Sequence, residues 1–139
     1  MKTKHILLAI LSLSFTLTSF AQEQLTPEQE EKKMREGIEL LVLRYEESLD
    51  LEVWQTFYVD SILVHNYNAM AEETKALAMN RVENGDLYMM ISDKWEDETY
   101  NAFRKILTDE QWKKYLKGGA SRAKKARELR AKKREGKKK

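Results

Sequence analysis

Beyond residue 21 the apolar side chains return at three- and four-residue spacing and do not alternate, and Pro27 is the single proline, so helices are the regular structure available to bury them. Met34, Ile38, Leu41, Val42, Tyr45 and Leu49 fall within about 100° of arc and predict a first amphipathic helix with one buried stripe. Asp50 is expected to cap a second helix. There Leu51, Val53, Trp54, Phe57, Tyr58, Ile62 and Val64 spread over roughly half the circumference, an arc that must touch more than one neighbour or leave apolar surface exposed. This helix is expected to run through Ala69, Ala76 and Met79 and to stop at Asn84-Gly85, with Asp86 capping a third. Ile91, Trp95, Ala102 and Ile106 share the inner face of that third helix, leaving Asp93, Glu96 and Asp97 outside it, and it should end before Leu107. A short fourth helix carries Trp112, Tyr115 and Leu116 as far as Gly118-Gly119. The expected architecture is all-α: three long amphipathic helices, a short fourth, and a basic end.

Residues 1–21 have the composition of an export signal, with Lys2, Lys4 and His5 ahead of an apolar stretch from Ile6 to Phe20 and small residues at Ser19 and Ala21. Cleavage after Ala21 leaves about 118 residues, enough for one domain over 22–118 plus a tail over 119–139. The absence of cysteine excludes disulfides, thiolate metal sites and a thiol nucleophile. Charge is segregated: Gln22 to Gln111 holds 21 acidic and 9 basic residues, net −12, whereas Trp112 to Lys139 holds 14 basic and 2 acidic, net +12.

A pentapeptide occurs twice, as Leu25-Thr26-Pro27-Glu28-Gln29 and Leu107-Thr108-Asp109-Glu110-Gln111, with the two copies 82 residues apart. Each is a helix-start device in which the threonine hydroxyl accepts from the N–H three residues on and the glutamine reaches back to the threonine N–H. Proline at the first helical position and acidic residues in the first turn suit the positive end of the helix dipole.

On these two copies the chain resembles the Spy/CpxP family of periplasmic proteins, whose hallmark is a pair of Leu-Thr-x-x-Gln motifs. The resemblance covers the order of signal, first motif, long helices, second motif and basic end. It implies a thin, bent helical body that pairs as an antiparallel homodimer, with its two motifs close together in space. It also implies periplasmic localisation and ATP-independent chaperoning of unfolded or partly folded envelope proteins, or, as in some members, regulation of an envelope-stress sensor. Carried over by position, the motif residues are Leu25, Thr26, Gln29, Leu107, Thr108 and Gln111, in structural rather than catalytic roles. The body here is acidic where the chaperone members have a basic concave face. The histidine-rich ends of zinc-binding members are replaced by His65 alone, so no metal or cofactor is expected.

A chaperone of this kind needs adaptable apolar surface ringed by charge. Trp54, Phe57, Tyr58, Tyr67, Met70, Met79, Met89 and Met90 are the candidate client-binding residues, against the alternative that they are core or dimer contacts. Ser61 and His65 stand one helical turn apart without a third orienting group or an oxyanion site, and runs such as Glu96-Asp97-Glu98 read as solvated helix faces, so no enzyme is expected. Lys124, Lys125, Arg127, Arg130, Lys132, Lys133 and Arg134 form a candidate anion-binding tail. Export argues against nucleic acid as its partner. The acidic body of the same or a partner subunit, an anionic membrane surface and acidic client segments stay open, beside a fraying or disordered helix in solvent.

Overall fold

The computed structural model describes residues 25–137. The expected signal segment, 1–21, lies outside the described residues. Every regular element is helical: α1 (Pro27–Leu49), α2 (Val53–Met79), α3 (Gly85–Ile106), α4 (Asp109–Tyr115), a π turn (Leu116–Ala120) and α5 (Ser121–Gly136).

Local chemistry sets the boundaries. Thr26 and Thr108 each begin a helix as the repeat predicts: the Gln29 and Gln111 side chains accept from the threonine N–H groups at 2.8 and 3.0 Å, and both threonine hydroxyls accept in return at 3.3 Å. The breaks between the long helices differ from expectation. Asp50 does not cap α2; it ends α1 in the left-handed region at φ 55°, where aspartate is one of the few non-glycine residues tolerated, and the Asp50 and Leu51 N–H groups both close on the Glu46 carbonyl. Glu52 takes the cap of α2, its N–H donating to Gln55 Oε1 at 2.9 Å. Asn84-Gly85 likewise does not end α2. The left-handed residue is Arg81 at φ 52°, while Asn84 caps α3 by accepting from the Asp86 N–H, in place of Asp86 itself. Gly118-Gly119 does not stop the chain's helical course either. Gly119, at φ 120°, makes a kink that an L side chain rarely adopts, and α5 then continues for sixteen residues.

The buried apolar side chains are Ile38, Val42 and Leu49 of α1, Val59 and Leu63 of α2, and Phe103 and Leu107 at the end of α3. Met34, Leu41 and Tyr45 pack against them, so the first stripe is as read. The most buried face of α2 is rotated from the centre of the expected arc: it is Gln55, Val59, Leu63 and Asn66, with Leu51, Ile62 and Val64 packed against the core and Val53, Trp54, Phe57 and Tyr58 left exposed, as so wide an arc allows. Phe103 is fully enclosed, in edge-to-face contact with Tyr45 (5.3 Å between ring centres) and tilted against Tyr115 (5.4 Å).

The rotation of α2 follows from a polar junction. Gln55 Nε2 donates to Gln111 Oε1 at 2.7 Å, and Gln111 Nε2 donates to Gln55 Oε1 at 2.9 Å. Each Nε2 has a second acceptor at a helix end, Ile106 O for Gln55 (2.9 Å) and Asp50 O for Gln111 (3.0 Å). Each Oε1 also accepts its own cap N–H, so all four hydrogen-bonding positions of both amides are filled. Gln111→Ala leaves the enclosed Gln55 amide half-satisfied and is expected to cost about 1–3 kcal/mol in urea unfolding. Replacing both glutamines by leucine should cost less than the sum of the two single replacements, because no orphaned amide remains.

Candidate functional site

The eight side chains singled out for client contact do not form one surface. Trp54, Phe57 and Tyr58 lie together with Val53 on the first turns of α2, their exposures 49%, 67%, 51% and 89%. Tyr58 meets both other rings edge-on, at 6.1 Å to Trp54 and 5.9 Å to Phe57, and the Trp54 indole N–H donates to Glu52 at 2.6 Å. These contacts hold the rings as a ledge open to solvent beside the α1–α2 corner. Met79, at the end of α2, and Met89 and Met90, in the first turns of α3, are exposed around the α2–α3 connection. Tyr67 and Met70 are half-buried and line a half-open cavity.

That cavity has a volume of about 500 Å³ and lies among α1, α2, α3 and the kinked α4–α5 segment. Its wall includes Leu41, Leu63, Trp95, Tyr45 and Tyr115, and Gly118, Gly119 and Ala123 border it at the surface. Burial pushes the Tyr115 hydroxyl far above its ordinary pKa, and the neighbouring Tyr45 adds to the effect. Burial also raises Tyr45 and Tyr67, reinforced by Tyr67 acting on Tyr45 and by Glu96 acting on Tyr67. All three phenols therefore stay protonated donors near neutral pH.

Four of the seven singled-out tail cations turn back onto the chain's own acidic body. Arg130 contacts the Asp93 carboxylate at 2.6 Å and Arg134 contacts it at 3.0 Å. Arg127, only 5% exposed, spans Asp97 (2.7 Å) and Glu96 (2.9 Å), and Lys124 reaches Asp97 at 3.1 Å. Rising numbers on α5 meet falling numbers on α3, so the two helices run antiparallel. Asp93, expected outside the apolar face of α3, has a side chain only 8% exposed because α5 covers it. Burial alone would raise the Asp93 pKa, but hydrogen bonds from Arg130 and Arg134, together with their charges, outweigh it and hold the carboxyl below its usual range. Lys125, Lys132 and Lys133 point to solvent.

The motif residues are also divided. Leu107 and Gln111 are enclosed, whereas Leu25, Thr26 and Gln29 are exposed. Twenty-three helical residues at 1.5 Å rise put Thr26 about 35 Å from the junction at Asp50. The two copies of the repeat are therefore not brought together. The partner of Gln111 is instead Gln55, whose segment Leu51-Glu52-Val53-Trp54-Gln55 keeps the leucine and glutamine of the repeat with glutamate at the cap. Its Leu-x-x-x-Gln spacing was the signal by which this third copy can be found. The Ser61 hydroxyl donates to the Phe57 carbonyl at 2.9 Å, and His65 packs edge-on against Trp95, so the two do not pair. No helix among the described residues is long and apolar enough to cross a membrane.

Comparison of the chain with protein-family models, with curated proteins and with solved structures gave no match.

The lowered Asp93 pKa fixes the sign of a pH effect. Its contribution to holding α5 is full above the ordinary aspartate value of about 4 and is lost as pH falls through its own lower value. In hydrogen exchange, α5 amides of Asp93→Asn should lose protection relative to the unaltered chain, by a margin constant from neutrality to about pH 4 that closes below it. Molar salt should shrink the same margin.

Proposed function

We propose that the protein is an exported, ATP-independent holding protein of Spy/CpxP type that binds unfolded or partly folded envelope proteins in the periplasm. The observation that carries this reading is the aromatic ledge of Val53, Trp54, Phe57 and Tyr58, large apolar side chains kept in solvent by a fold that turns the other face of α2 inward. Exposed apolar groups gathered on one element mark an interaction surface more often than scattered ones do. Burying one such side chain contributes about 1.5–3 kcal/mol, so a segment covering two or three gains several kcal/mol before the costs of association. Binding on that scale is weak and reversible, as a holding protein without nucleotide requires. Asp50, Glu52 and Asp60 border the ledge in sequence and supply the charge that keeps it soluble.

The paired threonine caps support the family resemblance, and the homodimer it implies belongs to the same proposal. The tail geometry counts against a free polybasic membrane anchor, since Lys124, Arg127, Arg130 and Arg134 are occupied by Asp93, Glu96 and Asp97. Docking on a single sensor is distinguished by pull-down from envelope extract: one stoichiometric partner for a regulator, many weak ones for a holding protein.

Substoichiometric to equimolar protein is expected to suppress light scattering by a denatured test protein without ATP. Trp54→Ser combined with Phe57→Ser should weaken suppression several-fold while leaving thermal unfolding nearly unchanged, because both side chains already lie in solvent. Full suppression by that variant, or no suppression of any of several clients by the unaltered chain, defeats the reading.

A further inference from the structure

The cavity behind α5 carries chemistry that the ledge does not use. Tyr88 donates its hydroxyl to the Val82 carbonyl, but the hydroxyls of Tyr45, Tyr67 and Tyr115 make no hydrogen bond among the described residues. All three side chains line the same space, and the Tyr45 and Tyr115 rings lie 5.9 Å apart. None of the three hydroxyls is a buried atom, so each is within reach of solvent, and a ligand oxygen can take its donor in place of water. The charged lining residues are Arg44, Lys114, Arg127 and Glu96. Glu96 is held by Arg127 at 2.9 Å, whereas Arg44 and Lys114 make no ion pair among the described residues, which leaves the rim positive. The rest of the wall, including Leu41, Leu63, Met70 and Trp95, is apolar.

We infer that this cavity binds a single-chain fatty carboxylate, its alkyl chain against Leu63, Met70 and Trp95 and its head group accepting from the tyrosine hydroxyls beneath Arg44 and Lys114. A carboxylate brings two oxygens with about four acceptor positions, which matches three phenol donors and nearby cations. The size agrees as well. At roughly 30 Å³ per non-hydrogen atom, the share a water takes in the liquid, the space holds on the order of sixteen such atoms, a carboxylate of twelve to fourteen carbons. The volume also lies within the usual range of small-molecule sites, roughly 300–1,000 Å³. The site is separate from the ledge, so the inference does not rest on the proposed function.

Calorimetric titration of the full mature chain with dodecanoate, below its micelle concentration, tests it. One saturable site per chain is expected, with dodecan-1-ol binding about tenfold or more weakly for want of the charged head group. Tyr45→Phe with Tyr115→Phe should weaken dodecanoate about tenfold and leave dodecan-1-ol nearly unchanged, since only two hydroxyls are removed. Met70→Trp, which fills the space, should abolish both. Absence of saturable binding, equal affinity for acid and alcohol, or binding that survives Met70→Trp and is lost in Trp54→Ser overturns the assignment. Should Met70→Trp fail to fold, the tyrosine pair, which opens no void, decides it alone.

Discussion

Two enclosed primary amides connect four helix ends, and the arrangement of the body depends on them. Gln55 belongs to the first turn of α2 and Gln111 to the first turn of α4, while their outward bonds go to Ile106, the last residue of α3, and to Asp50, just beyond α1. An amide can make bonds of both kinds at once, which neither a leucine nor a carboxylate can do in the same volume. Left half-filled, each would cost about 1–3 kcal/mol, more than a satisfied hydrogen bond contributes net. The junction is therefore selective as well as cohesive: a register shift that moved either glutamine would strand a donor and an acceptor at the centre of the molecule.

The same junction decides what solvent sees. With Gln55, Val59, Leu63 and Asn66 inside an arc of roughly 80° at 100° per residue, Val53, Trp54, Phe57 and Tyr58 lie about 95° or more from its centre. Asn66 anchors the far end of this inner face by donating to the Thr99 hydroxyl at 2.9 Å. The apolar ledge is thus a consequence of placing two amides in the interior.

This explains how far the sequence was legible. The helices, their approximate ends, the first stripe and both threonine caps follow from short-range rules, because Thr26 and Thr108 act on residues three positions away. The α2 face did not, because an apolar stripe is read on the premise that glutamine and asparagine stay outside, and here they do not. Asp50 and Asn84 are residue types suited to both helix starts and helix ends, so composition located the breaks without assigning the roles. The burial of Asp93 was not legible for a different reason. It comes from α5, some forty positions away, and no local pattern on α3 announces a partner that arrives by charge.

The manner in which α5 is attached also accounts for the cavity. An apolar helix would pack directly on α3 and close the space between them. α5 presents Leu129 to solvent and reaches α3 through Arg127, Arg130, Arg134 and Lys124, long side chains that pair with Asp93 and Asp97. Gly118, Gly119 and Ala123 then contribute almost no side-chain volume to the gap, which Tyr45, Tyr67 and Tyr115 also line. The guanidinium forks stay charged and hydrogen-bonded to carboxylates, so the face that α5 turns to α3 is polar and does not fill the space over the aromatic floor. The opposite charges of body and tail therefore attach α5 beside an apolar space that its own side chains do not fill.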